Sequence, residues 1–331
     1  MDMIIAVGAM DAGFTPPMPF VAQRLDGGKC MGLARLMTEI ALIRCGFDIS
    51  DMGAPITDVQ ELVLNANRIG ADCIAVLSCG AFGSRKSFND ISGATIKYAA
   101  GRLSDRSRVL AEDVCAKVAL TKPCITAAEH KFDGAACPAI EIAPGYLTDF
   151  DEAKLLHDPD YIHTLVEYAV MGICEYFGMP YIPHSPAAYK RFKARLGMRG
   201  KSVKLLQAAL GMGGYHVNID GVFGKHTDIA AKECAINNGF SDDEMLNGLL
   251  FVKPQKLSAN SRNNAALYIQ RKLKAKLYYA DDSGVLSTDT IAAANDFLTE
   301  TEHEELCNDS FISQEVFELI AEIGGGRPRL F

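Results

Sequence analysis

The amino-acid sequence predicts an α/β protein: a three-layer N-terminal domain over residues 1–179, then an all-α pair of small three-helix repeats. Up to about residue 180, short apolar stretches of strand length alternate with helical stretches, which is typical of a three-layer α/β domain. Beyond a proline-rich segment the chain has helical periodicity, and its pattern recurs at a fixed spacing, as from Gln207 to Gln270. Such a recurrence indicates two copies of one supersecondary unit.

In the N-terminal domain, apolar periodicity and turn residues predict the order of elements. Gly46 and Gly70 are expected to end the first two helices, and Asp58 is expected to begin the second. The run at 73–77 is continuously apolar, which suits a strand covered on both faces of a sheet. Strands are predicted at 3–7, 47–50, 73–77 and 139–142, and helices at 31–45, 58–67, 106–120 and 161–177.

Three prolines between Met179 and Pro186 predict an extended connector over 180–199. No convincing strand is expected after it. The repeats are expected at 200–255 and 256–323, and residues 324–331 are expected to form a flexible tail. The identical pairs of the two repeats are Gln207/Gln270, Leu210/Leu273, Tyr215/Tyr278, Gly221/Gly284, Val222/Val285, Thr227/Thr290, Ala230/Ala293 and Ala231/Ala294.

Length, charge and composition restrict the possible functions. A chain of 331 residues suggests two or three domains, and 49% hydrophobic with 22% charged residues is ordinary for a globular protein. The formal net charge is −8, so neither a nucleic-acid partner nor binding to anionic lipid is expected. No apolar run approaches the roughly 18 residues of a membrane-spanning helix, so no membrane insertion is expected.

The cysteines and the N-terminus indicate where the chain is made. Ten cysteines are scattered through apolar segments without a CxxC pair, as is usual for buried free thiols in a reducing compartment. The start, MDMIIAVG, lacks the basic residues and long apolar run of a signal peptide. We therefore expect a protein that is cytoplasmic at synthesis, with delivery to another compartment, if any, by a route without a signal peptide.

The first repeat has the features of a small three-helix unit. Val203, Leu206 and Leu210 form an apolar stripe on one helix. The turn at Asp220 and Gly221 is expected to be tight, and Gly224 is expected to tolerate a left-handed backbone. Thr227, near the start of the next helix, is expected to help cap it.

These motifs, GKSVKLLQ from Gly200, GY at 214–215 and DGVFGKHT from Asp220, resemble the peptidoglycan-binding-domain-1 family. The resemblance implies that residues beside the Asp-Gly turn contact the wall polymer, which makes His216, Asn218 and Asp220 the ligand-binding candidates. The second copy departs from the family pattern, with Ser283 and Ser287 where the first has Asp220 and Gly224.

The N-terminal domain resembles the N-acetylmuramoyl-L-alanine amidase 3 family through the order of several short motifs. They are LVLNANRIGAD from Leu62, SGATIKY from Ser92, SRVLA from Ser107 and PAIEIAPGYLTD from Pro138. The resemblance implies a zinc-dependent hydrolase fold, in which His, Glu and His hold Zn²⁺ and a late Glu is the general base.

Those four family positions fall at residues that cannot do this chemistry. The three ligand positions fall at Ala9 or Met10, near Gly27 or Gly28, and at Ser78, and the base falls at Ala143. Alanine, glycine and serine are not strong zinc ligands, and alanine cannot accept a proton. No intact catalytic residue, no metal and no cofactor are therefore expected.

Other residues near these positions allow alternative interpretations. Cys30, Cys79 and His130 could form a rebuilt zinc site, because thiolates bind zinc well, although free cysteines are usually core residues. Glu141 should face away from Ile140 and Ile142, either as an inserted base or as a charged residue at a sheet edge. His163 is expected to be a solvated residue on a helix flank.

The sequence therefore predicts a cell-wall-related pseudo-amidase: a non-catalytic binding or scaffold protein. Its expected partner is peptidoglycan, a muropeptide or precursor, or a protein of cell-wall synthesis, sporulation or phage-derived lysis. The alternative is an active zinc-dependent N-acetylmuramoyl-L-alanine amidase of endolysin type with non-standard ligands. A third interpretation is an assembly subunit that docks through its second repeat and its tail.

Overall fold

The computed structural model describes residues 3–10, 27–51, 56–83, 87–118, 123–189 and 195–322. These residues divide into two compact units. The N-terminal unit contains the described residues up to 156 together with 160–188, and the C-terminal unit contains 157–159, 189 and 195–322. The whole predicted tail (324–331) lies outside the described residues.

A mixed β-sheet forms the centre of the N-terminal unit. Its strands are β1 (Ile4–Ala9), β2 (Asp48–Asp51), β3 (Cys73–Leu77), β4 (Thr95–Ala99), β5 (Cys124–Ala128) and β6 (Ala139–Ala143). They are arranged in the order β2-β1-β3-β6-β4-β5. Strands β1, β2, β3 and β6 are parallel, whereas β4 runs antiparallel to β6 and parallel to β5. The sequence did not predict β4 or β5.

Helices cover the sheet and complete the α/β fold that the sequence predicts. They are α1 (Gly27–Arg44), α2 (Val59–Ile69), α3 (Ser104–Lys117), α4 (Phe150–Leu155) and α5 (Pro159–Phe177). Because β2 and β3 flank β1 on opposite sides, right-handed connections place α1 and α2 on opposite faces of the sheet. On the α2 face, Leu62 and Val63 pack in one apolar cluster with Ala6, Ile74 and Val76.

The two ends of α2 follow the expected cap chemistry. The Asp58 side chain accepts a hydrogen bond from the Gln60 backbone N–H at 2.9 Å. At the other end, Gly70 adopts a left-handed backbone with φ 67°, a conformation that glycine reaches without a Cβ clash. Sequence-based prediction of this helix is therefore confirmed at both ends.

The C-terminal unit is helical, as predicted, with one small addition. Its helices are α6 (Lys201–Met212), α7 (Lys225–Asn238), α8 (Met245–Leu250), α9 (Asn264–Ala275), α10 (Thr288–Glu300) and α11 (Gln314–Glu322). The addition is a pair of two-residue strands, β7 (Leu257–Ser258) and β8 (Phe311–Ile312), which pair antiparallel. The expectation of no strand after the connector was therefore wrong at this point.

The first two helices of each repeat begin at the same spacing along the chain. Helices α6 and α9 begin at Lys201 and Asn264, and α7 and α10 begin at Lys225 and Thr288. An isolated antiparallel bridge joins Arg199 to Val222 in the first repeat, and the matching bridge joins Arg262 to Val285 in the second. The third helices differ, since α8 is six residues long and α11 is nine.

A buried glutamine connects the parts of the first repeat. Gln207 is 1% exposed, and its Oε1 accepts a hydrogen bond from the Gly221 backbone N–H at 2.9 Å. Its Nε2 lies 2.8 Å from Asp220 Oδ1, 3.1 Å from the Val222 carbonyl and 3.2 Å from Thr227 Oγ1. Thr227 is thus an internal partner of Gln207, and its predicted role as a helix cap is wrong.

The second repeat builds the same arrangement around Gln270. Its Oε1 accepts from the Gly284 N–H at 2.8 Å, and its Nε2 donates to the Val285 carbonyl at 2.8 Å. The carboxylate that Nε2 contacts belongs to Asp281, two residues before the position that matches Asp220. The second copy therefore keeps the internal contact although it lacks the aspartate of the family pattern.

The start of the second helix also differs between the copies. Gly224 precedes α7 with φ −89° and forms no side-chain cap, so the predicted left-handed conformation there is wrong. In the second copy, Ser287 accepts a hydrogen bond from the Thr290 N–H at 3.2 Å and caps α10. In the part of the chain that the structure describes, no helix is both long and apolar enough to cross a membrane.

Candidate functional site

The candidate site lies where strands β3 and β6 end, on the face of the sheet that α2 covers. Ser78 directly follows β3, and Ala143 is the last residue of β6. Parallel strands β3 and β6 pair through Val76 and Glu141, so their carboxyl ends meet at one edge. In open α/β sheets this edge is the usual position of a binding site.

Glu141 is the central side chain of this site. It is 3% exposed and belongs to an interior strand, so the expectation of a charged residue at a sheet edge is wrong. Its Oε1 accepts a hydrogen bond from the Ser78 hydroxyl at 2.6 Å. Its Oε2 lies 2.7 Å from Lys131 Nζ and 3.5 Å from Lys97 Nζ. A buried carboxylate therefore has two lysines and one hydroxyl as partners.

The electrostatics keep Glu141 ionised. Burial by itself would raise the pKa of its carboxyl group, because a low-dielectric environment disfavours the charged form. The positive charge of Lys131, the hydrogen bond from Ser78 and the more distant Lys97 outweigh burial, and the net effect lowers the pKa below its usual value of 4.5. A carboxylate with a lowered pKa is a weak base, so it does not favour removal of a proton from Ser78 or from water.

A cavity of about 310 Å³ opens in front of this carboxylate. Its wall combines charged, hydroxyl and apolar groups. The lining residues are Met10, Ser78, Cys79, Gly80, Ala81, Phe82, Thr95, Lys97, Lys131, Glu141, Ala143 and Tyr146. The volume is at the lower end of the range of small-molecule sites and suits one sugar ring or a short peptide segment.

Close packing fixes one wall of the cavity. A Cβ atom on Gly80 would lie 2.7 Å from the Tyr146 ring, so the backbone at Gly80 needs glycine. Backbone hydrogen bonds of 2.8 Å join Gly80 to Gly145 and to Leu147. The Tyr146 hydroxyl in turn lies 3.2 Å from Thr95 Oγ1 on β4.

Glu152, at the start of α4, holds the loop that carries Tyr146. Its carboxylate accepts hydrogen bonds of 2.7 Å from the backbone N–H groups of Tyr146 and Gly93. Burial raises the pKa of Glu152 despite these two hydrogen bonds. Asp149 caps α4 through the Glu152 N–H at 2.8 Å, so the helix and the loop are fixed together.

The four positions that the family resemblance assigns to zinc chemistry can now be located. Ala9 ends β1 and is buried, Gly28 lies in the first turn of α1, and Ser78 and Ala143 line the cavity. Three of them carry no donor atom in their side chains, and the Ser78 hydroxyl already donates to Glu141. The residues present therefore do not fit the His-Glu-His zinc set of that family.

The structure brings two of the three alternative ligands together. The sulfur atoms of Cys30, in the first turn of α1, and Cys79, after β3, are 3.7 Å apart. His130 is not part of this pair, because its ring is 86% exposed and its Nδ1 contacts Asp133 at 3.2 Å. Within the described ranges, Cys30, Cys79 and His130 do not converge into a three-ligand cluster.

The ligand-binding candidates of the first repeat lie on its surface. His216, Asn218 and Asp220 are all exposed. One carboxylate oxygen of Asp220 accepts from Gln207 Nε2 and from the Val222 N–H, each at 2.8 Å. Asp220 therefore has a structural role in the turn, whatever else its side chain contacts.

Sequence-based reasoning missed the two lysines that define the site. Lys97 lies directly opposite Glu141 in the β4–β6 pairing, but β4 was not predicted. Lys131 follows β5 by three residues, and β5 was not predicted either. An alternating pattern at 95–99 is the one local indication that could have identified β4 and its lysine.

Several solved structures are similar to this chain over about half its length. N-acetylmuramoyl-L-alanine amidase AmiC2 of Nostoc punctiforme has 17% sequence identity and a TM-score of 0.44, and the match covers 53% of this chain and 97% of that one. The catalytic domain of CwlV, an N-acetylmuramoyl-L-alanine amidase from Bacillus (Paenibacillus) polymyxa var. colistinus, has 16% identity and a TM-score of 0.46, covering 54% and 100%.

A third similar structure is the CwlD amidase of Clostridioides difficile, solved in complex with the GerS lipoprotein. It has 15% identity and a TM-score of 0.41, and the match covers 54% of this chain and 99% of that one. No protein-family model and no curated protein sequence matches the chain. The functional proposals therefore rest on this chain's own residues.

Proposed function

We propose that this chain is a cell-wall-related binding protein whose amidase-like domain has no hydrolytic role. The ligand is peptidoglycan, a fragment or precursor of it, or a protein partner in cell-wall metabolism. The support comes from the order of family motifs in the sequence, from the repeats that follow them and from the chemistry of the cavity.

The observation that carries this proposal is the replacement of the catalytic groups by Glu141 and its partners Ser78, Lys97 and Lys131. Amide hydrolysis of the family's type needs a metal to polarise the carbonyl and lower the pKa of water, and a base to accept the proton. At those positions the chain has Ala9, Gly28 and Ala143, and the nearby carboxylate of Glu141 is neutralised by lysines. What the cavity offers instead is a set of hydrogen-bonding groups at a fixed spacing.

Those groups suit recognition of a polar ligand. Lys97 keeps 40% of its side chain exposed and Lys131 keeps 24%, so their ammonium groups can donate to a ligand without leaving Glu141. The hydroxyls of Thr95 and Tyr146, which also line the cavity, add donors and acceptors. Carboxylate, carbonyl and hydroxyl groups of a muropeptide are chemically matched to such a wall.

Two assays on the full chain test this function. Co-sedimentation with insoluble peptidoglycan measures binding, and a muropeptide-release assay with and without added Zn²⁺ measures hydrolysis. We expect binding without release of stem peptide. A double variant, His216→Ala with Asn218→Ala, should bind less, whereas His226→Ala, which changes another exposed histidine of the same repeat, should bind normally. Release that depends on zinc would overturn the proposal.

The contact between Cys30 and Cys79 favours one second candidate, an active amidase of endolysin type with non-standard ligands. Two thiolates 3.7 Å apart at the edge of the sheet could hold Zn²⁺ together with water or a substrate group. Cys30→Ser and Cys79→Ser separate the candidates, because a thiolate-dependent hydrolase loses release activity in both variants. A binding protein shows no release activity to lose and keeps its binding.

A further inference from the structure

A second cluster of potential ligands lies in the N-terminal unit, at the opposite end of α1 from the cavity. His163 and Glu167 are one turn apart on α5, and His184 belongs to the segment that follows α5. One ligand atom from each of the three lies within 4.8 Å of those from the other two. In the described part of the chain this is the one group of three or more such side chains with that spacing.

His163 is only partly the solvated residue that the sequence suggested, since 34% of its side chain is exposed. Its Nε2 is buried and makes no hydrogen bond within the described residues, although it lies 3.5 Å from Glu167 Oε1. Burial lowers the pKa of His163, and Arg44 adds to this effect while Glu167 opposes it. A neutral imidazole nitrogen that makes no hydrogen bond offers a lone pair, which is the form that binds metals.

His184 is held in place by the end of α1. The Arg44 Nε donates to the Ile182 carbonyl at 2.7 Å, and the Ile182 N–H donates to Cys45 Sγ at 3.4 Å. Arg44 Nη1 lies 3.3 Å from His184 Nδ1, and since arginine can only donate, this nitrogen carries no proton. The lone pair of His184 Nδ1 is therefore directed at Arg44 Nη1, and a metal ion bound to this nitrogen would take the place of that donor.

Glu167 divides its two oxygens between different partners. Oε2 accepts from Arg44 Nη2 and from the Tyr181 hydroxyl, whereas Oε1 is the oxygen nearest His163. The charge of Arg44 is thus compensated by Glu167. A cation entering between Oε1 and the two rings would displace Arg44 Nη1 from His184, whereas Nε would keep its contact with the Ile182 carbonyl and Nη2 its contact with Glu167 Oε2.

We propose that His163, Glu167 and His184 bind a divalent transition-metal cation, with Zn²⁺ as the preferred ion. Two imidazoles and one carboxylate suit zinc, and the 3.5 Å between His163 Nε2 and Glu167 Oε1 is close to the separation of two ligands in a tetrahedral site. The ion joins α5 to the segment after it, so its role is to fix that segment.

This site is distinct from the cavity around Glu141. Cys30 and Arg44 lie on the same helix, and their separation of fourteen residues corresponds to about 21 Å along its axis. Zinc bound at the histidines is therefore too far from Ser78 and Ala143 to take part in chemistry there. Metal content by itself cannot indicate an amidase, and the release assay remains the separate test of the proposed function.

Metal binding by the full chain tests the proposal. The protein is stripped of metal and titrated with Zn²⁺, and the bound metal is then counted by mass spectrometry. We expect one high-affinity ion, with affinity reduced more than about 10-fold in His163→Gln and in His184→Gln. His130→Gln and Cys79→Ser are the matched controls and should bind zinc as the unmodified chain does.

The absorption spectrum of the unmodified chain loaded with Co²⁺ provides a readout that does not depend on variants folding. Ligation by imidazole and carboxylate gives visible d–d bands without the near-ultraviolet charge-transfer band of a thiolate ligand. Absence of stoichiometric zinc binding would overturn the proposal, and so would a thiolate band. The proposal would also be overturned if both histidine variants bound zinc with full affinity, or if either control variant lost its affinity for zinc.

Discussion

The candidate site and the two repeats each contain a buried polar side chain, but of different kinds. Glu141 is a charge held by lysine side chains, whereas Gln207 and Gln270 are neutral amides, each held by backbone and side-chain groups of its own repeat. A buried charge depends on partners that are partly exposed and that respond to pH and ligand. A buried amide that bonds to the backbone of a neighbouring turn holds that turn in place, so it stabilises the fold of its repeat.

Replacement of Glu141 is expected to have the largest effect on the free energy of unfolding. Glu141→Ala removes the acceptor of Ser78 and leaves the two lysines without their counter-charge, which should lower the free energy of unfolding by about 3 kcal/mol. Urea unfolding of the full chain measures it. Glu112→Ala is the control, since its ion pair with Arg108 is about half exposed on both sides and should matter by less than about 1 kcal/mol. Equal effects of the two changes would contradict this interpretation.

Replacement of Gln207 or Gln270 should lower the free energy of unfolding by somewhat less than replacement of Glu141. The loss should be equal in the two repeats. Gln207→Ala or Gln270→Ala leaves a buried glycine N–H without its acceptor, which predicts a loss of about 2 kcal/mol each. Hydrogen exchange of α6–α7 and of α9–α10 shows where protection is lost. A loss confined to the first repeat would mean that the second does not use its glutamine in the same way.

The two kinds of side chain should also differ in their response to pH. Because the folded-state pKa of Glu141 is lowered, its carboxylate stabilises the fold above the unfolded value of about 4.5, and that contribution is lost as pH falls through the folded pKa. The difference in unfolding free energy between the natural chain and Glu141→Gln should therefore shrink below about pH 4.5. The corresponding difference for Gln270→Ala should not follow this titration, because an amide does not titrate.

The smallest expected effects on stability come from changes to the helix caps of the two repeats. Ser287→Ala removes the cap of α10 and should lower stability by about 1 kcal/mol. Gly224→Ser introduces a cap at the matching position, where an added Cβ meets nothing within 4 Å, and should raise stability by a few tenths of a kcal/mol. Thermal unfolding of both variants is the measurement, and a loss of stability in Gly224→Ser would show that its backbone cannot accept the exchange.

Much of the fold could be predicted from local sequence patterns. Strands β1, β2, β3 and β6 and the long helices follow from apolar runs, periodicity and caps, all of which act over a few residues. Strands β4 and β5 were missed for a physical reason. β5 is short and largely exposed, and it ends in two alanines, a residue type that is depleted in strands.

The candidate site was only partly predictable, because it depends on strand order. Alternation along β6 correctly turned Glu141 away from Ile140 and Ile142, but its burial follows from β4 pairing beside β6. Lys131 reaches the same carboxylate from the loop after β5. Contacts of this kind join segments that are distant in the chain, and local periodicity contains no information about them.

The equal spacing of the two repeats has a consequence for engineering. The segments 199–238 and 262–301 place their bridge, turn, glutamine and paired helices at matching positions, so each could replace the other without changing chain length. The copies differ in length after these segments, since six residues separate α7 from α8 whereas thirteen separate α10 from α11. Chimeric chains that carry two first copies or two second copies would thus test which copy is responsible for the binding to peptidoglycan that we propose.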